Sequence, residues 1–228
     1  MTDDTYNYRA FKVRHFRNNF VEFPAPKIGE AAVDFSATTI DGKNVRLSDF
    51  LGRPVVLEMG SVSCDIFVCR VPPMNAVARR HPEATFLVLY TREAHPGAAI
   101  PPTTTMQAKL ANARRLRDDD GEMRQLLVDD VDGTAHKLYG ELPNAVFVFD
   151  EKGRVVFRAS WNDVDVVETV LTRLAAGQPI GVVKPRFKLP PLRVSLRVFR
   201  RAGWQSLTDF LRQLPAVIRL LIRVRSRM

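Results

Sequence analysis

Residues 54–64 read PVVLEMGSVSC, an apolar run that ends in a short polar segment and a cysteine. The first six residues have the composition of a strand that is buried on both faces, as in parallel sheets. Apolar residues recur at helical spacing over 66–80, where Pro72 and Pro73 are predicted to kink the helix. Cys64 is therefore predicted to lie where a buried strand ends and a helix begins.

The segments on both sides of this stretch alternate between strand and helix. Strand patterns cover 34–40, 45–47, 85–90, 126–128 and a hairpin over 145–159, and helical patterns cover 106–116, 134–139 and 164–176. This order gives parallel strands joined by crossover helices, followed by an antiparallel edge. It predicts an α/β protein with a thioredoxin-like fold, in which helices flank a central mixed sheet.

Length and charge divide the chain into three parts. Its 228 residues suit one domain of about 150 residues with extensions, or two small domains. We assign residues 1–26 to an N-terminal extension, 27–180 to the thioredoxin-like domain and 181–228 to a basic amphipathic C-terminal tail. Residues 184–228 contain twelve Lys and Arg against one acid, Asp209, so the net charge of +9 originates in the tail. An apolar content of 46% excludes wholesale disorder.

Neither end of the sequence resembles an export or membrane-spanning signal. Residues 1–4 are MTDD, acidic where a signal peptide would be basic. The apolar stretch at 214–224 contains a proline and two arginines, which make it too short and too charged to cross a bilayer. We therefore expect a cytoplasmic protein, peripheral at the membrane if its tail binds there, with Cys64 and Cys69 reduced.

Cys64 is the strongest candidate for chemistry. Open α/β folds bind ligands at the carboxyl ends of their strands, and a helix N-terminus favours a thiolate, so we expect a lowered pKa for Cys64. Ser61 and Ser63 would donate hydroxyl groups there. The alternative is a buried, inert cysteine. Two cysteines without clustered His and Asp residues make a poor metal site, and we expect neither a metal nor a cofactor.

Cys69 follows Cys64 at a spacing of five residues. In a continuous helix their Cα atoms would lie roughly 8.6 Å apart. Disulfides need less than about 7 Å. Cys69 would therefore resolve an oxidised Cys64 only if the first helical turn unwinds, and the alternative is a core thiol.

His95 and Pro143 are predicted to lie near the same thiol. His95 follows the strand expected beside that of Cys64, so it is a candidate to transfer a proton or stabilise the thiolate, with Glu93 orienting its ring. A surface histidine is the alternative. Pro143 precedes the hairpin, and we expect a cis Leu142–Pro143 bond with the proline facing the thiol. Its alternative is an ordinary turn proline.

Two of these segments together resemble a known family. The segment GSVSC at 60–64 is followed about thirty residues later by FLVLYTREAHP at 86–96. They resemble the iodothyronine deiodinases and their bacterial cysteine relatives, which carry Gly-Ser-x-x-selenocysteine and then a strand ending in Tyr-x-x-Glu-Ala-His-Pro. The resemblance covers residues 29–177.

This resemblance implies a thioredoxin fold and a reductive redox reaction at Cys64, assisted by His95 and Glu93. It further implies a small-molecule substrate and a thiol reductant of the thioredoxin or glutathione type. The chain differs from the family in carrying sulfur at the selenium position. It also has Val62 where animal members often carry a cysteine, and Asp65 follows the nucleophile where a proline is usual.

A second resemblance is to peroxiredoxins that carry both cysteines on one helix. Cys64 and Cys69 match their Cys-x-x-x-x-Cys spacing, and Ser61 matches their hydroxyl residue. This implies a thiol peroxidase with Cys69 as the resolving residue and Arg92 or Arg158 orienting the peroxide. A third alternative is a non-enzymatic thioredoxin-fold module that docks through its basic tail.

The tail has the pattern of an amphipathic helix. Seven apolar residues recur at spacings of three and four: Leu207, Phe210, Leu211, Leu214, Val217, Ile218 and Leu221. Arg212, Arg219 and Arg223 fall largely outside this stripe. We expect residues 184–228 to bind an anionic membrane surface. The alternative is packing on the domain or on a second copy in a homodimer. No nucleic-acid partner is expected, because the basic residues lack a base-stacking aromatic platform.

Overall fold

The computed structural model describes residues 6–225 and the side chains up to Ile222. It contains a seven-stranded sheet, whose strands in chain order are β1 Ser36–Thr39, β2 Asn44–Arg46, β3 Val55–Gly60, β4 Thr85–Tyr90, β5 Gln125–Val128, β6 Val146–Phe149 and β7 Val155–Ala159. Their order across the sheet is β2-β1-β5-β4-β3-β6-β7. The strands β3, β4 and β5 are parallel, and the other pairs are antiparallel. The predicted α/β thioredoxin-like fold with a mixed sheet is confirmed.

Eight α-helices accompany the sheet in the described part of the chain: α1 Arg17–Glu22, α2 Asp65–Val68, α3 Val71–Arg80, α4 Met106–Asp120, α5 Thr134–Leu138, α6 Val164–Ala175, α7 Leu192–Ala202 and α8 Trp204–Arg225. The single kinked helix predicted over 66–80 is two helices, α2 and α3. The break falls at Cys69 and Arg70, before the prolines. Pro72 and Pro73 instead occupy the first turn of α3. The N–H groups of a first turn have no partner within the helix, so a proline, which lacks this group, breaks no helical hydrogen bond there.

The strand β3 is the centre of the structure, since all six of its residues are buried. It lies between β4 and β6 in the sheet. Val55, Leu57 and Met59 belong to the apolar cluster that also takes in the N-terminal extension and α8. Val56 faces the cluster that contains α3 and α6. Burying a side chain of this size contributes about 1.5–3 kcal/mol to the free energy of folding. The apolar residues at 54–59 therefore determine both the central position of β3 in the sheet and which of its side chains face each cluster.

The N-terminal extension and the tail both pack on the domain. Phe11 and Phe16 are buried, and the ring of Phe11 lies 5.7 Å from that of Phe210 in α8. The helix α8 runs through Pro215 without a break. Residues 1–5 and 226–228 and the side chain of Arg223 lie outside the described residues, so the predictions that include them are tested only in part.

The predicted apolar stripe of α8 is divided between the domain and solvent. Phe210 and Val217 pack against the domain core. Leu211, Leu214 and Ile218 are exposed. The alternative of packing on the domain is therefore confirmed for one side of the helix. No helix in the described part of the chain is long and apolar enough to cross a membrane.

Candidate active site

A cavity of about 570 Å³ lies beside the loops that follow β3 and β4. Its wall is largely apolar, and its aromatic members include Phe11, Phe16, Trp161, Phe187, Phe199 and Phe210. Among the described lining residues, only Cys64, Asp65 and His95 carry titratable side chains. The N-terminal extension, the strand-end loops and the tail thus enclose one thiol, one carboxyl group and one imidazole.

Cys64 lies directly before α2, as predicted, but its thiol is 1% exposed. Burial raises the pKa of Cys64, and the neighbouring carboxylate of Asp65 raises it further. The prediction of a lowered pKa for Cys64 is therefore wrong for the buried thiol of this structure. The physical reason is that α2 has only four residues, so the field at its N-terminus is outweighed by desolvation and by Asp65.

His95 is buried among three phenylalanines and is not a surface residue. Its ring centroid lies 4.4 Å from that of Phe11, 5.1 Å from Phe199 and 5.5 Å from Phe210. Burial lowers the pKa of His95 to about 4, while Asp65 acts in the opposite direction. The imidazole is therefore neutral at pH 7. Its Nδ1 atom is buried and has no hydrogen-bond partner, so it is free to accept or donate a proton in the cavity.

Glu93 does not orient the His95 ring, contrary to the sequence expectation. Its carboxylate accepts hydrogen bonds from Ser63 Oγ at 2.6 Å, from Asn112 Nδ2 at 3.1 Å and from the Tyr90 hydroxyl. Burial raises the pKa of Glu93, and these hydrogen bonds oppose the shift. Glu93 acts on His95 only indirectly, because Ser63 Oγ also accepts the His95 backbone N–H at 3.2 Å.

Ser61 and Ser63 hold the loops together and do not line the cavity. Ser61 Oγ accepts the backbone N–H of Ala94 at 3.2 Å, parallel to the Ser63–His95 contact. Both serines are buried. The two hydroxyl groups therefore fix the loop after β4 to the loop after β3. The expected role as donors toward Cys64 is not what the structure shows.

Cys69 is half-buried at the break between α2 and α3, outside the cavity wall. Its thiol donates to the carbonyl oxygen of Ile66 at 3.2 Å and contacts the guanidinium of Arg70. Both cysteines are free thiols. A Cys64–Cys69 disulfide requires α2 to open, and α2 is a single turn. The resolving role of Cys69 stays a prediction.

Pro143 lines the cavity together with Cys64, but its peptide bond is trans. The expected cis Leu142–Pro143 bond is wrong, since the described chain has no cis peptide bonds. The chain instead turns at Gly140 and Glu141, whose φ values of 87° and 58° are both left-handed. The reversal into β6 is therefore complete before the proline.

Asp65 is a site residue that sequence reasoning did not select. Its Oδ2 atom accepts a hydrogen bond from the Ser195 hydroxyl of α7 at 2.6 Å, and Oδ1 accepts the Ile66 N–H at 2.9 Å. The sequence feature that could have identified Asp65 is its position as a carboxylate directly after the candidate nucleophile, at the start of a helix. The partner in α7, 130 residues away, carries no such signal.

A buried polar network lies under the site and was also missed. Glu58, in the middle of β3, accepts hydrogen bonds from Arg124 at 2.5 Å, Asn144 at 2.9 Å and Asn162 at 2.7 Å. Arg124 also donates to Glu122 at 2.6 Å and 2.8 Å. Asn144 lines the cavity, so this network connects the central strand to the site. Within the described residues, no group of His, Cys, Asp and Glu is arranged to hold a metal ion.

We expect the buried, neutral His95 to make the protein acid-sensitive. Its pKa is about 4 in the folded chain and about 6.5 when unfolded, so only the unfolded state binds this proton between those values. Stability is therefore lost as pH falls from 6.5 to 4. His95→Phe should remove roughly 2–3 kcal/mol of the loss between pH 7 and about pH 4.5, measured by urea unfolding.

The pKa shifts of His136 and Glu93 are present in both the wild type and His95→Phe, so they cancel when the acid sensitivities of the two proteins are compared. The same variant should lower the rate of any reaction at Cys64 by roughly 100-fold, the scale of general acid–base catalysis. Equal acid sensitivity of the two proteins would show that His95 is not held neutral. An unchanged rate would make it purely structural.

Solved structures resemble this fold at low sequence identity. A hypothetical protein from Sinorhizobium meliloti is 13% identical, with a TM-score of 0.55 and coverage of 71% of this chain and 91% of that one. An uncharacterised protein from Geobacillus kaustophilus is 15% identical, with a TM-score of 0.54 and coverage of 70% and 87%. The thioredoxin domain of a thiol-disulfide oxidoreductase from Bacteroides vulgatus is 14% identical, with a TM-score of 0.51 and coverage of 64% and 99%.

Sequence comparison identifies the family. A search of curated proteins finds no match. The family model described as iodothyronine deiodinase matches residues 5–172. The match takes in the site loops with Cys64, Glu93 and His95 and covers well over half of the chain. The chain belongs to the iodothyronine deiodinase family.

Proposed function

We propose that the protein is a thiol-dependent oxidoreductase that reduces an apolar small molecule, with Cys64 as the nucleophile. Family membership supports thiol-dependent redox activity in general. The observation that carries the proposal is the position of Cys64 in the wall of a largely apolar cavity that His95 and Asp65 also line. A volume of about 570 Å³ is that of a small-molecule site. The phenylalanine rings around His95 in this wall favour an aromatic substrate, which they would contact by stacking or edge-to-face packing.

The reaction begins with the loss of the thiol proton. The unpartnered Nδ1 of His95 is the group proposed to accept it. Burial raises the pKa of Cys64 and lowers that of His95, so this transfer is unfavourable in the described arrangement, and we propose that it takes place only after the cavity has opened to admit substrate. With an iodinated phenol, the Cys64 sulfur then attacks iodine, the carbon–iodine bond breaks, and the ring carbon takes the proton from His95. The products are the deiodinated phenol and a sulfur–iodine bond on Cys64.

The reductant completes the cycle. One thiol displaces iodide and forms a mixed disulfide with Cys64, and a second thiol attacks that disulfide and releases the free Cys64 thiol. Two thiols are thus oxidised to one disulfide while one carbon–iodine bond is reduced to carbon–hydrogen. We propose a thioredoxin- or glutathione-type thiol as this partner.

The test is a reaction of the reduced protein with a diiodinated phenol and excess dithiothreitol. We expect iodide release that increases with protein concentration. Without the dithiol, the protein is unfolded before alkylation, because the native Cys64 is buried and would resist alkylation in any case. Mass spectrometry should then show Cys64 protected and Cys69 alkylated. No iodide above the thiol-only background, together with unprotected Cys64, would contradict the proposed function.

A thiol peroxidase is the second candidate, supported by the position of Cys69 at a helix break. The two arginines considered for peroxide binding are occupied elsewhere. Arg92 pairs with Glu141 at 2.7 Å, and Arg158 donates to backbone carbonyls of the N-terminal extension. Peroxide in place of the phenol should give a Cys64 sulfenate and then a Cys64–Cys69 disulfide if this candidate is correct. The non-enzymatic alternative requires no thiol reaction in either assay.

A further inference from the structure

The mouth of the cavity is formed by exposed aliphatic side chains of the tail. Six such residues line it: Leu189, Leu192, Leu196, Leu211, Leu214 and Ile218. They are between 37% and 77% exposed, whereas Cys64 at the other end of the same cavity is 1% exposed. The cavity therefore leads from a buried thiol to an apolar rim that faces outward. Contiguous exposed apolar surface of this kind marks an interaction site.

A basic groove adjoins this rim. Arg193, Arg197, Arg200 and Arg201 line it together with Leu196 and Trp204, and its volume is about 720 Å³. Leu196 belongs to both the groove and the rim, so the two surfaces are continuous. Arg197 and Arg201 pair with Asp120, whereas Arg193 and Arg200 are exposed and have no carboxylate partner among the described residues. Trp204 is 61% exposed beside them.

We propose that the rim and the basic groove together bind the surface of an anionic phospholipid bilayer. Aliphatic side chains enter the acyl boundary, arginines contact lipid phosphates, and tryptophan favours the interface between them. The tail carries twelve Lys and Arg against one acid, which complements an anionic surface. The same charge opposes a symmetric contact with a second copy, because it would bring two basic grooves together.

When the protein is bound to a bilayer in this way, the mouth of its cavity faces the lipid. An apolar substrate dissolved in the bilayer would then reach Cys64 without crossing water. This second consequence rests on the proposed function, whereas membrane binding itself does not.

The test is co-sedimentation with vesicles of phosphatidylcholine that contain about one third phosphatidylserine, at low and at about 0.5 M salt. The double variant Arg193→Glu/Arg200→Glu reverses the charge of two arginines of the basic groove. The double variant Leu192→Ser/Leu211→Ser replaces two aliphatic side chains of the rim with polar ones. All four positions are exposed, so the fold should persist, as checked by circular dichroism. Each pair should lower the partition constant at least about tenfold. The matched control Lys43→Glu/Lys152→Glu changes net charge equally at exposed positions elsewhere and should stay within about threefold.

Trp204 supplies a second readout, since its emission should shift to the blue on binding while that of the buried Trp161 stays constant. Trp204→Phe should abolish the shift. Absence of wild-type binding, or equal binding by the groove, rim and control variants, would overturn the proposal. So would a concentration-dependent dimer that is lost in Leu192→Ser/Leu211→Ser without any vesicle binding. None of these readouts involves Cys64, so failure of iodide release with retained vesicle binding would count against the proposed function alone.

Discussion

Replacing Cys64 with serine should lower the rate of iodide release by at least about 1000-fold, because a hydroxyl oxygen is not a thiolate nucleophile. Serine is close to cysteine in size, so the buried site should keep its shape. The matched variant Cys69→Ser should change the same rate by less than about threefold, since Cys69 lies outside the cavity wall. Steady-state iodide release and thermal unfolding of both variants give the comparison.

The two cysteine variants also separate the candidate reactions. If peroxide is the substrate, Cys69→Ser should accumulate a Cys64 sulfenate that wild type converts to a disulfide. An equal loss of iodide release in both variants would mean that Cys69 takes part in the reduction. Retained activity in Cys64→Ser would remove Cys64 as the nucleophile.

The fold was predictable where the signal is local. The apolar run at 54–59 is long enough for one strand, and its position before a helical pattern identified β3 and the junction at Cys64. The order of strands and helices then placed β4 beside β3, as the structure confirms. Cys64 and His95 follow these neighbouring parallel strands, and both line the same cavity.

The electrostatics of the site were not predictable, because they depend on residues distant in the chain. The burial that lowers the pKa of His95 comes partly from the N-terminal extension and from the tail. Phe11 and Phe210 contact the His95 ring from these two segments, which are about 200 residues apart. Apolar periodicity indicated that the tail was amphipathic, but it could not show which residues face the domain.

The central carboxylate was missed for a related reason. Glu58 interrupts an otherwise apolar strand, and its three partners come from other segments of the chain. A single acidic residue in such a run carries no information about what neutralises it.

Replacing Arg124 with methionine should lower the free energy of unfolding by about 3–5 kcal/mol, the usual cost of removing one partner of a buried ion pair. Arg124 is buried with Glu58 and Glu122, and their carboxylates raise its pKa although burial alone would lower it. The variant would leave two carboxylates buried without a cation. Urea unfolding at pH 7 measures the loss, and Arg79→Met, at an exposed position on α3, is the matched control and should cost less than about 0.5 kcal/mol.

A double variant distinguishes a charge effect from a packing effect. Glu58→Gln/Arg124→Met should recover part of the stability, because one buried charge is then gone. A double variant as unstable as the sum of its single variants would show that Arg124 acts by filling space. Asn144 bonds Glu58 and lines the cavity, so loss of the charge network should reach the reaction at Cys64 as well.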